Sequence, residues 1–196
     1  MSTVKSKNLQ VGTDATASNN FTIYQPSTPD GTLRIGVGNA DSPTEVGRFT
    51  SAGYKPATAP AFSAYLSSNQ SASSGVWTKM QINTENFDTN SNYDNSTNYR
   101  FTPTVAGYYQ VNANVNAEGS TSRTRVIGSI YKNGVEYKRG GDQNYSNAMA
   151  SPVSDVIYFN GTTDYIEVYG LVIASIGVFN GGQHFNYFSA ILIQQA

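Results

Sequence analysis

The chain has 196 residues, a net charge of −1 and only 13% charged residues. Without a basic field to release counterions, nucleic acid is not an expected partner. The absence of cysteine excludes disulfide staples, thiolate metal sites and a Cys nucleophile.

The first residues, MSTVKSKNLQ, lack the apolar core of a secretory signal. No segment reaches the ~20 apolar residues of a spanning helix. The longest apolar stretch, YIEVYGLVIASIGVF, is broken by Glu167, Gly170, Ser175 and Gly177. The expectation is synthesis in a cytoplasm, without membrane insertion or export by the general secretory route.

Residues 1–57 carry short strand-like pieces: NLQV, NFTIYQ, TLRIGVG and EVGRFT. Turn clusters at 26–31 (PSTPDG) and 39–43 (NADSP) separate them. The pieces are too short and too sparsely apolar to close a core alone. Such a segment is expected to draw its core from copies of itself or from a docking partner. KPATAP, 55–60, reads as a linker because its prolines favour an extended chain.

Beyond residue 60 the alternation lengthens, and no long segment has the three-four spacing of a helix. Strands are predicted at 61–66, 76–82, 98–102, 107–116, 123–132, 135–138, 151–159, 164–174 and 184–193. In YKNGVEY the pair Asn133-Gly134 predicts a tight hairpin. The fold class is all-β: a ten-stranded jelly-roll sandwich over 58–196, preceded by a small β segment over 1–57.

FDTNSNYDNSTNYRF (87–101) places Asp88, Asn90, Asn92 and Asp94 at alternate positions, the opening of a helix–loop–helix calcium site. Such a loop needs Gly at position six and Glu at position twelve. Those positions hold Tyr93 and Tyr99, and the flanks are β-like. The segment therefore reads as a connection between strands.

Its residues also carry a resemblance. Asp88, Tyr93, Phe101 and Gly107-Tyr108-Tyr109-Gln110-Val111 resemble the signature of the complement globular-head family, whose jelly roll is shared with tumour necrosis factor relatives. IYKNGV (130–135), DYIEVYG (164–170) and FNYFSAILI (185–193) resemble three later motifs of that family, in order. Ile82, Val111, Ala113 and Ala190 depart from the pattern as volume changes within an apolar core, and one extra residue lies between Tyr93 and Phe101. The resemblance implies a signature core of Asp88, Tyr93, Phe101, Gly107, Tyr109 and Phe188. It also implies a homotrimer packed on flat apolar faces, with both chain ends at one base. Three copies would give residues 1–57 the partner they lack. That N-terminal part resembles the short-β shaft or attachment segments of bacteriophage fibre proteins, through motifs such as LRIGVG.

Catalytic motifs are weak. The only histidine is His184, no GxSxG surrounds a serine, and the acids lie mostly beside turns. No catalytic residue, metal or cofactor is assigned. With the ends at the base, strand alternation puts the loops 117–122, 139–150 and 175–183 at the far end. RGGDQNYSNAMAS (139–151) has the Tyr/Asn/Ser composition of adaptable contact surfaces. Arg139, Asp142, Tyr145, Asn147, Phe179 and His184 are the candidate contact residues. The expected function is a non-enzymatic virion component: a trimeric tail fibre or tip. Residues 1–57 would attach it to other virion proteins, and the far loops would bind a host-surface glycan or protein. A capsid decoration protein or head fibre is the alternative, and a polysaccharide-active enzyme the second alternative.

Overall fold

The computed structural model describes residues 7–56, 60–117, 125–142 and 149–196. The chain divides into two compact units, Met1–Ala59 and Pro60–Ala196.

The first unit is a single antiparallel sheet in sequence order. Its strands are β1 (Asn8–Val11), β2 (Phe21–Tyr24), β3 (Leu33–Val37), β4 (Thr44–Thr50) and β5 (Gly53–Pro56). Residues directly opposite on neighbouring strands share a face. Leu9 lies opposite Ile23, Val11 opposite Phe21, Ile23 opposite Ile35, Leu33 opposite Phe49, and Phe49 opposite Tyr54. One face is therefore mainly apolar, with Thr44 opposite Val37 and Lys7 at its edge. The other carries Tyr24, Arg34, Arg48 and Lys55, which the same pairings align. There Arg34 binds Asp30 at 2.6 Å and Glu45 at 3.2 Å, and Arg48 binds Glu45 at 2.6 Å. The loops are pinned by buried Asn20. Its Nδ2 donates to the Asp14 carbonyl and to Asn39 Oδ1, and its Oδ1 accepts the Asp14 N–H.

The second unit is a two-layer sandwich. Its strands are β6 (Ala61–Tyr65), β7 (Gln70–Ala72), β8 (Thr78–Lys79), β9 (Thr84–Asp88), β10 (Tyr93–Asp94), β11 (Arg100–Phe101), β12 (Gly107–Ala117), β13 (Arg125–Lys132), β14 (Val135–Arg139), β15 (Met149–Phe159), β16 (Ile166–Ile173), β17 (Gly177–Phe179) and β18 (Tyr187–Gln195). In one sheet β15 pairs the full length of one edge of β12, while β18, followed by β6 and β9, and β17, followed by β7, share its other edge; the second runs β10-β11-β16-β13-β14, with β8 beside β16.

Alternation builds the core: Tyr109, Val111, Ala113 and Val115 of β12 face Val126 and Ile130 of β13 and Ile166, Val168 and Val172 of β16. At its centre Phe62 stacks on Tyr93 (4.7 Å) and Phe101 (4.4 Å) and meets Phe188 edge-on (4.9 Å). Burying each such ring stabilises the fold by about 1.5–3 kcal/mol. Ile82, Val111, Ala113 and Ala190 are all buried, so the departures from the family pattern sit inside this core.

Two predicted elements differ. The alternating run 76–82 forms a ladder only at Thr78–Lys79. Beyond it the chain crosses from the second sheet to the first, where β9 pairs β6. Met80 and Ile82 alternate because they plug the core during that crossing. Residues 175–183, read as a loop, contain β17, which pairs with β7 and with Ala117.

The segment 88–101 holds its shape through its own side chains. Asp88 accepts the N–H of Tyr93 at 2.7 Å and of Asn90 at 3.1 Å. Asp88 is thus half-buried beside the core rather than part of it, a correction to the signature set. Asp94 accepts the N–H groups of Ser96, Thr97 and Asn98. The hydroxyl of buried Tyr93 donates to the Ile82 carbonyl at 2.7 Å; burial pushes its pKa up. A Cβ on Gly107 would strike the Gln194 carbonyl oxygen and Leu192.

Candidate functional site

The two ends of the sandwich are distinct. At one, Leu192 N–H reaches the Pro60 carbonyl and Ala196 N–H reaches that of Ala106, so this unit begins and ends together. The hairpin Asn133-Gly134, with φ of 53° and 80°, lies here, joined through Asn133 to Asp164. At the other end Ala117 lies opposite Met149 and Phe179, and Arg125 lies opposite Ile173. β12 ends, β13 begins, β14 ends and β15 begins there, and β17 lies there between β16 and β18.

The four described contact candidates have different surroundings. Arg139 ends β14; its guanidinium grips Glu136 in a two-point contact (2.8 and 2.6 Å) and lies 5.3 Å above the Trp77 ring. Asp142 makes a two-point pair with Arg125, which holds its carboxyl below the usual range. His184 is exposed, its ring 4.2 Å from that of Phe185. Tyr145 and Asn147 lie outside the described residues.

Phe179 is a correction. It is 0% exposed. As the partner of Ala117 it shares that residue's inward face, and its ring lies against Gly170, where any Cβ would collide with it. The neighbouring glycines suggested an exposed loop. The short ladder of β17, with Gly177 and Phe179 buried on either side of Val178, turns the ring inward instead.

The sequence reading missed what fixes this end. Asn114 and Asn116 occupy the outward side of β12, yet the segment 180–186 folds over them. Asn116 N–H donates to Asn186 Oδ1 (2.7 Å), Asn186 Nδ2 donates to the carbonyls of Asn116 (2.9 Å) and Asn180 (2.6 Å), and Asn180 Nδ2 donates to Asn116 Oδ1 (2.6 Å). Asn114 Nδ2 donates to the Phe185 carbonyl. Buried amides satisfied this fully hold a segment in one conformation. The signal was the triplet Asn112, Asn114, Asn116 in a strand, since Asn is depleted in strands.

The remaining outward face of the first sheet is open. Its register aligns Tyr108 with Tyr158, Gln110 with Val156 and Ile191, and Asn112 with Ser154 and Ser189. Ser63 and Phe87 continue the row across β6 and β9. Phe87, Tyr108, Val156, Tyr158 and Ile191 are between 42% and 51% exposed. None of the aligned residues is charged. A hollow of about 320 Å³ lies between Phe87, Asn112 and Ile191. The opposite side of the sandwich differs: Trp77, Tyr131 and Tyr169 form a row there, framed by the pairs Arg139–Glu136 and Lys79–Glu167.

The architecture is that of the tumour necrosis factor-like jelly rolls. Among solved structures, Eiger TNF from S. frugiperda aligns with a TM-score of 0.51 at 9% identity, covering 70% of this chain and 93% of that one. Murine APRIL at pH 5.0 aligns with a TM-score of 0.51 at 10% identity, covering 69% of this chain and 100% of that one. At these identities the likeness is one of fold. No protein-family model matches the chain, and no curated protein matches it in sequence.

Proposed function

We propose that the protein is a non-enzymatic component of a bacteriophage virion: a homotrimeric tail fibre or fibre tip. The observation that carries the trimer is the uncharged outward face of β12, β15, β18, β6 and β9. A sheet face presenting Phe87, Tyr108, Val156, Tyr158 and Ile191 without a charge suits burial against a copy of itself, and closed symmetry is the usual solution for such contacts. The ion-paired, aromatic side of the other sheet then faces outward.

In this reading the first unit attaches the trimer to other virion proteins, and the far end binds a glycan or protein on the host surface. Asp142, Tyr145, Asn147 and His184 are the contact residues in this reading, and Phe179 is a core residue. The clamp of Asn116, Asn180 and Asn186 keeps one contact segment rigid, lowering the ordering cost of binding. Three weak contacts on one trimer act together.

The test is adsorption. Virions carrying Tyr145→Ala with His184→Ala are expected to assemble normally and to adsorb to host cells at least tenfold more slowly. Undiminished adsorption counts against receptor binding at this end. Imaging a virion labelled on this chain distinguishes the tail position from the alternative, a decoration or fibre on the capsid.

A further inference from the structure

Among the described residues of the first unit, no apolar side chain is buried. The buried side chains there are those of Asn20 and Thr22. Leu9, Val11, Phe21, Leu33, Phe49 and Tyr54 are instead 46–59% exposed, all on the apolar face. A lone sheet of this kind has the pattern of half a core: one side ion-paired and wet, the other apolar with no second layer. An antiparallel sheet needs its apolar face packed to be stable.

We infer that this face is covered by the same face of the other copies, so that the first units of one trimer share a single apolar core. Three observations favour copies over a foreign partner. First, the face carries a single charge, Lys7 at its edge beside Leu9 and Ile23, so little on it selects an unlike partner, whereas the opposite face is rich in charge. Second, the face is small. Five strands 4.8 Å apart and about five residues long cover roughly 400 Å², about half of what each partner of a stable independent complex buries. It cannot recruit a separate protein firmly. Third, copies need no recruitment. Residues 57–59 alone separate Pro56 from Pro60, a tether of at most about 14 Å. Copies joined through the second unit therefore meet at a local concentration on the order of millimolar.

The inference rests on the trimer reading and deepens it. It also divides the labour of the first unit. The apolar face is spent on self-association, which leaves the Arg34–Glu45–Arg48 face and the turns for the neighbouring virion protein.

The absence of cysteine makes a direct test clean. Leu33→Cys and Arg34→Cys are made separately in the full chain; the two positions are adjacent on β3 and point to opposite faces. Under mild oxidation, Leu33→Cys is expected to give covalent dimers in more than half of the chains, and Arg34→Cys at most a tenth of that yield. Light scattering on the same samples reads the assembly. A trimeric mass with no cross-link at Leu33, or with equal cross-linking at both positions, overturns the inference and leaves the trimer standing. A monomeric mass overturns the trimer and the inference with it. In a Tyr108→Asp, Ile191→Asp background the Leu33→Cys cross-link is expected to fall at least tenfold; a cross-link that persists when the reduced protein is monomeric would overturn the view that the second unit brings these faces together.

Discussion

The two units use the same alphabet of short strands and reach opposite outcomes. In the second, alternation on two sheets points two sets of apolar side chains at each other, and Phe62, Phe101, Tyr109, Phe159 and Phe188 are at most 1% exposed. In the first, alternation is as regular, but there is only one sheet, so Phe21, Leu33 and Phe49 remain half exposed. Period two in the sequence fixes which residues share a face. It does not supply a second layer. The second unit carries its second layer in its own chain; the described residues of the first carry none.

That contrast can be broken first at the core. Phe62→Ala removes the ring packed on Tyr93, Phe101 and Phe188 and is expected to cost about 3–5 kcal/mol, measured by denaturant unfolding of the second unit. Phe179→Ala is expected to fall in the same range, about 3–5 kcal/mol. A loss below about 0.5 kcal/mol, the usual figure for a surface change, would contradict its buried position.

The clamp comes next. Asn186→Ala leaves the Asn116 N–H and the Asn180 carbonyl without this partner, at a cost of about 1–3 kcal/mol. Faster hydrogen exchange over 180–186, with the core strands unchanged, would place the loss in the clamp. Tyr93→Phe keeps the stacked ring but removes its bond to the Ile82 carbonyl, a loss of about 1 kcal/mol.

The smallest effect separates the units by pH. The Asp94 carboxyl accepts N–H groups of Thr97, Ser96 and Asn98, which hold its pKa well below the usual range. In the first unit, bonds from Thr32 and Arg34 hold Asp30 at about 2. A folded-state pKa below the unfolded value, about 4 for Asp, means stability that is present above that value and lost as pH falls through the folded one. Stability is therefore expected to decline below about pH 4. Asp94→Asn should flatten that decline in the second unit and leave the first unit's decline unchanged, as read by unfolding at pH 2.5 and pH 7.

Most of the jelly roll was legible because its determinants are local. The hairpin needed Asn133-Gly134, the longer strands alternate visibly, and Asp88, Tyr93 and Phe101 keep a recognisable spacing. What escaped was decided by tertiary partners. Met80 and Ile82 alternate as a strand does while crossing between sheets. Phe179 sits among glycines as a loop residue does, and its inward direction came from Ala117, 62 positions earlier in the chain. The role of Asn116 depended on a segment folding back from residue 180. The candidate contact surface was the least legible part, since exposure there follows from such long-range pairing and not from composition.

If the uncharged sheet face joins three copies, light scattering on the full chain will show it. The expected mass is about 63 kDa, three times the 21.1 kDa chain, falling to a single chain's mass when Tyr108 and Ile191 are both replaced by Asp. A monomeric mass for the unaltered chain, or a trimer untouched by that pair of substitutions, would contradict it.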